Sequence, residues 1–149
     1  MATMTRDEIS QKVRDVLVDA LGVDEDEVQP EASLKQDLGA ESIDYLDITF
    51  RLEKAFANEY GRRLDIPRGE LFSEDWDAFQ ADPKFVQKGL VTSEGLAEIQ
   101  RFAPQADLYE FRKNPLAAEA EEMIITVVYL VNYIERRLNE QPPRYKAER

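Results

Sequence analysis

The residues with chemistry to offer cluster around Ser42, in the run Asp37-Leu38-Gly39-Ala40-Glu41-Ser42-Ile43-Asp44. A Ser that precedes a helix ordinarily caps it, its hydroxyl accepting a free backbone N–H and contributing about 1 kcal/mol. Glu41, Asp44 and Asp47 lie near that hydroxyl on the same stretch of helix. Paired carboxylates can do acid–base work. Nothing in the sequence forces a second carboxylate into an apolar pocket, so a carboxylate enzyme is not the expectation. The other acidic run, Asp24-Glu25-Asp26-Glu27, lacks the sixth-position Gly and twelfth-position Glu of a calcium loop. It reads as a solvated turn, and no metal site is expected.

Composition narrows the field further. The chain has 149 residues, with no Cys and no His. Disulfides, thiolate nucleophiles, Cys-ligated zinc, Ser–His or Cys–His catalysis and imidazole metal sites are thereby excluded. A formal net charge of −12 repels phosphate backbones and anionic lipid, so neither nucleic acid nor a membrane is an expected partner. The acidity is uneven: residues 1–60 carry a net −9, residues 61–119 a net −3, and residues 120–149 are neutral. No apolar run approaches the roughly 20 residues of a membrane helix, and the first residues lack the apolar stretch of a signal peptide. A cytoplasmic location is expected.

The elements that must position Ser42 follow from periodicity. Thr5 and Glu8 have capping-box spacing, and Ile9, Val13, Val16, Leu17, Ala20 and Leu21 give the first helix one apolar face, stopped by Gly22. A loop with Pro30 and Ser33 leads to a turn at Gly39 and a second helix from Ser42 to about residue 60 or 61. Tyr45, Ile48, Leu52, Ala55 and Phe56 form its broad apolar face; Asp44, Asp47, Arg51 and Lys54 form a charged stripe. Ile43, Leu46 and Phe50 make a second apolar strip that packing of one face does not explain. Val127, Leu130, Val131, Ile134 and Leu138 define a last helix, which is expected to extend back through residues 117–122. Arg136 and Arg137 suit the C-terminal end of its dipole. Residues 141–149 read as a frayed tail.

Residues 68–123 fit neither a linker nor a repeat. With residues 67–123 holding Phe72, Trp76, Phe79, Phe85, Phe102, Tyr109 and Phe111, half of the chain's 14 aromatics, an ordered and packed segment is expected. Ser73 is read as the cap of a short helix through Phe79, broken by Asp82-Pro83. Ser93 is read as the cap of a second helix, Glu94 to Phe102, and Lys84 to Val91 as extended. The whole chain, 1–149, is expected to be a single domain with 68–123 inserted into it.

The turn, the acid–Ser–aliphatic–Asp sequence and the following helix resemble the acyl carrier protein family. So do Val28, Pro30 and Ser33-Leu34, the segment Leu52-Glu53-Lys54-Ala55-Phe56, the link Asp65-Ile66-Pro67, and Thr126-Val127 with Leu130 to Ile134. The resemblance covers residues 5–67 and 124–138, 78 of the 149. It implies an all-α, acyl-carrier-like four-helix bundle with a mostly helical insertion. It implies a 4′-phosphopantetheine arm on the Ser42 hydroxyl, where the phosphodiester would meet unpaired N–H groups at a helix N-terminus. It implies no catalytic residue, with acyl intermediates held as thioesters for fatty-acid or polyketide-type enzymes. Glu41, Ile43, Asp44, Leu46, Asp47 and Phe50 would be the docking residues for a phosphopantetheinyl transferase and for acyl synthases and transferases with basic patches. For Asp44 and Asp47 a merely solvated face is an equal alternative. For the whole chain the alternative is an unmodified, carrier-like interaction module working through Ile43, Leu46, Phe50 and the insertion. Three features depart from the family: Glu41 stands where Asp is usual, Arg51 and Lys54 bring positive charge into a normally acidic helix, and the insertion replaces a short helix and loop. That insertion could cover the arm, deepen an acyl pocket, offer a partner or dimer surface, or simply pack on the bundle.

Overall fold

The computed structural model describes residues 4–58 and 61–140. The first helix, α1 (Arg6–Leu21), opens as its sequence dictates. Thr5 Oγ1 accepts the Glu8 N–H at 3.2 Å and the Glu8 carboxylate accepts the Thr5 N–H at 2.8 Å. It closes on Gly22, whose N–H still bonds the Val18 carbonyl and whose φ of 68° then turns the chain out of the helix. Ile9, Val13, Val16 and Leu17 are buried. Residues Glu25–Glu27 form a short 3-10 turn, with the Glu27 carboxylate accepting the Asp24 N–H.

The second helix, α2 (Ser42–Ala55), ends five residues short of the expected boundary. Phe56 drops its ring into the core, and the chain doubles back. The Leu64 N–H donates to the Glu53 carbonyl at 3.1 Å, and the Ile66 N–H to the Glu53 carboxylate at 3.0 Å. Leu64 and Ile66 are buried by this return. Residues 59 and 60, on which the longer helix depended, lie outside the described residues.

The last helix, α7 (Val127–Glu140), packs with α2 against α1. It does not continue back through residues 117–122. A 3-10 turn (Ala117–Glu119) and a short helix, α6 (Ala120–Ile124), precede a break at Ile125 and Thr126. The cause is long-range. The loop after α1 crosses this point, so that the Leu34 N–H donates to the Ile125 carbonyl, and the Val127 and Val128 amides donate to the carbonyls of Ala32 and Pro30. The β-branched Ile125 and Thr126 tolerate the non-helical backbone this requires. Arg137 also departs from expectation. It turns inward and is only 4% exposed. It donates to Glu70 at 2.6 Å and to the Tyr133 hydroxyl at 2.8 Å.

Between Pro67 and α6 the chain forms α3 (Trp76–Ala81), a hairpin of β1 (Val86–Gln87) and β2 (Leu90–Val91), α4 (Ser93–Phe102) and α5 (Tyr109–Lys113). Helix α3 starts three residues after Ser73, which accepts the Asp75 N–H instead of capping the helix directly. The extended reading of residues 84–91 holds for the four strand residues, joined through Lys88 (φ 55°) and Gly89 (φ 78°). The cap of α4 is Thr92, one residue before the expected Ser93; its hydroxyl accepts the Gly95 N–H and donates to the Lys84 carbonyl. A Cβ at Gly95 would run into the Phe85 carbonyl, so this close approach requires glycine. Helix α5 was not foreseen. The rings of Trp76, Phe79, Phe85 and Phe102 contact one another with centroids 5.3 to 6.2 Å apart, whereas Tyr109 is 67% exposed. Buried side chains of α1, α2, the segment 68–123 and α7 form one continuous core. The fold is all-α apart from the small hairpin.

Candidate functional site

Ser42 is delivered by a clasped turn. The Ser33 N–H donates to the Asp37 carboxylate at 2.7 Å, and the Gln36 N–H to Ser33 Oγ at 3.1 Å. The amides of Asp37 and Leu38 close on the Ser33 carbonyl, and the Ala40 N–H on that of Leu34. Leu34, Leu38 and Ala40 anchor the turn in the core, and Gly39 makes the bend with a φ of 74°. Glu41 is extended, and α2 begins at Ser42 itself.

The capping role expected of Ser42 therefore falls one residue earlier. Glu41 is the N-cap residue, and the Asp44 carboxylate reaches back to accept its N–H at 2.7 Å. Ser42 is exposed, and among the described residues no hydrogen bond engages its hydroxyl. A primary hydroxyl thus stands free at the positive end of a helix whose mouth is closed by Asp44 without using it.

The other sequence-derived candidates share the outward side of α2. Ile43 is 79% exposed, Leu46 60% and Phe50 53%, while Ile48 and Leu52 on the opposite face are fully buried. Glu41 and Asp47 are exposed and Asp44 is half-buried. The two aspartates do different jobs: Asp44 accepts an amide of the helix mouth, and Asp47 holds Arg51 at 2.9 Å.

Two residues beside the site, Tyr45 and Lys35, are not among the sequence-derived site candidates. Tyr45, three residues after Ser42, stacks on Phe72 of the insertion with centroids 4.1 Å apart. Lys35 lies over the Tyr45 ring and pairs with Glu121 at 3.1 Å, tying the clasped turn to α6. Burial, and then the nearby negative charge of Glu121, push the Tyr45 hydroxyl well above the usual phenol range. The helical spacing marked Tyr45 as inward-facing; no local signal could have placed Phe72 against it.

A phosphodiester at this position needs an accessible hydroxyl and unspent amide dipole, and both are present at Ser42. The family profile described as "Phosphopantetheine attachment site" matches residues 11–67, which span most of α1, the clasped turn, α2 and the return to Pro67. An acyl carrier protein of Rubrobacter xylanophilus is 50% identical over 56 residues, covering 38% of this chain and 69% of that protein. An acyl carrier protein of Petrotoga mobilis is 47% identical over 62 residues, covering 42% of this chain and 68% of that protein. No solved structure gives a significant match. The prosthetic group of such a chain is covalently attached 4′-phosphopantetheine. Half the positions are identical over more than two thirds of a relative's own length, and the attachment-site profile lies on the elements that present Ser42: the chain belongs to the acyl carrier protein family.

Proposed function

We propose that Ser42 is the attachment point of 4′-phosphopantetheine, and that the protein delivers acyl groups to enzymes of the fatty-acid or polyketide type. The arm's thiol supplies the thioester-forming group that a chain without Cys lacks. The observation that carries the reading is the exposed Ser42 hydroxyl, which sits on the first residue of α2 and, among the described residues, takes part in no hydrogen bond. The clasped turn holds that hydroxyl in place, and α2 presents Ile43, Leu46 and Phe50 beside it as an apolar docking strip. Burying such a strip against a partner is favourable at about 25 cal/mol per Å². Glu41, Asp44 and Asp47 add negative charge that attracts basic patches on a phosphopantetheinyl transferase and on acyl synthases and transferases, mostly by speeding encounter.

On this reading the protein is a carrier and not an enzyme, in keeping with a family of carriers, and works in the cytoplasm with its partners. Among the described residues no helix is long and apolar enough to cross a membrane. The continuous core supports treating the chain as one carrier domain with 68–123 as an insertion.

Intact mass after incubation with coenzyme A and a phosphopantetheinyl transferase tests the assignment. The expected result is a gain of one arm, absent in Ser42→Ala. A gain that survives the substitution would move the attachment elsewhere. Ser33 is a poor second choice, because it is buried and its hydroxyl accepts the Gln36 N–H.

A further inference from the structure

A groove runs between α1 and α2 beside Phe50, with Val16 and Ala55 as apolar lining and Arg51, Lys54 and Arg63 along it. Its charge runs against that of its surroundings, since residues 1–60 carry a net −9. Two carboxylates also line it. Asp47 is matched by Arg51 at 2.9 Å. Asp19 is the other; Lys54 and Arg63 are both exposed and neither forms an ion pair among the described residues. Lys54 alone would be explained by the negative end of the α2 dipole. Arg63 comes from the returning chain, outside any helix, and brings its charge to the same groove.

The charge along the outward side of α2 therefore changes sign from one end to the other. Glu41 and Asp44 stand at its first turn and Lys54 with Arg63 at its last. Asp44 and Lys54 are ten residues apart, about 15 Å along a helix. A uniformly basic partner surface would be attracted at Ser42 and repelled at the groove. We propose that the groove receives an acidic segment of a partner enzyme, one apolar side chain flanked by carboxylates. The partner's docking face is then basic over the mouth of α2 and acidic over its C-terminal end. This rests on the reading of Ser42 as the attachment point and narrows which partners fit it.

The test uses the full-length, arm-bearing protein and three synthetic helical peptides, identical except that a central Leu is flanked by Glu, by Gln or by Lys. Binding is read by amide chemical shifts. The Glu peptide is expected to bind tightest at the groove, with shifts centred on Val16, Phe50 and Ala55. Lys54→Glu with Arg63→Glu should weaken it about tenfold, and added salt should weaken it too. The milder pair Lys54→Gln and Arg63→Gln should give a smaller loss and guards against a folding effect of the reversal. The proposal is overturned if the Glu peptide binds the groove no better than the Gln peptide, or if neither double variant changes its binding. It is also overturned if the groove amides shift on attachment of the arm alone, which would make the arm the occupant. Mass gain is read in parallel on every variant: no gain anywhere strikes at Ser42, whereas intact gain without peptide discrimination strikes at the groove.

Discussion

Phe72 lies flat on Tyr45, with ring centroids 4.1 Å apart and planes 4° from parallel. The pair joins the first aromatic of the insertion to the helix that presents Ser42. Its position is fixed from the other side by α7, where the Tyr129 hydroxyl donates to the Leu71 carbonyl and the Tyr133 hydroxyl to Glu70. Phe72→Ala should cost about 3 kcal/mol in urea unfolding, from lost burial and the lost stack. Tyr45→Phe should instead stabilise by about 1 kcal/mol, because the Tyr45 hydroxyl is buried with no hydrogen-bond partner among the described residues. A loss of stability in Tyr45→Phe would mean that the hydroxyl is satisfied after all.

Ser42 and Asp44 should separate capping from attachment. The bond that closes the helix mouth is Glu41 N–H to Asp44, and Ser42 takes no part in it. Ser42→Ala should leave the thermal midpoint nearly unchanged, within about 0.5 kcal/mol. Asp44→Ala should cost about 1 kcal/mol, with Asp44→Asn in between, since it keeps an acceptor and loses the charge at the positive helix end. Equal losses in Ser42→Ala and Asp44→Ala would return the cap to the hydroxyl.

The legibility of these features follows from how local their causes are. The start and stop of α1 were readable because Thr5, Glu8 and Gly22 act within one turn of themselves. The start of α2 was readable to within a residue, yet that residue decides whether Ser42 is a cap or a free hydroxyl. The same one-residue ambiguity moved the cap of α4 from Ser93 to Thr92. The break before α7 was not readable, because its causes are bonds from Leu34 to Ile125 and from Val127 to Ala32, across some ninety residues of sequence. Arg137 suited a helix end by type and position. Its burial depends on Glu70, which sequence order places far away.

Alkaline pH should destabilise the protein through its buried tyrosines. Burial pushes Tyr129 up to about 12 and raises Tyr45 and Tyr133 above their usual range of 10.0; the hydrogen bond to Glu70 raises Tyr133 further. Folded and unfolded chains hold the same phenolic protons well below pH 10. Above it the unfolded chain releases them while the folded chain keeps them, so stability falls as pH rises. Urea midpoints should be flat from neutrality to about pH 9 and then decline. Phenolate absorbance of these three residues should appear only as the chain unfolds. Native-state ionisation of all tyrosines near the ordinary phenol value would contradict the burial of these rings.

Phe50 and Ile48 share α2 but should answer differently to truncation. Ile48 is fully buried, and Ile48→Ala should cost about 3 kcal/mol. Phe50 is 53% exposed, and Phe50→Ala should cost less than about 1 kcal/mol. If the Ile43, Leu46 and Phe50 strip is the surface on which partners dock, the ranking reverses for arm attachment. Its rate, followed by intact mass under conditions where both variants remain folded, should then drop more in Phe50→Ala than in Ile48→Ala. A Phe50→Ala protein that is strongly destabilised yet loaded at the normal rate would place this ring in the core and leave the strip without a role.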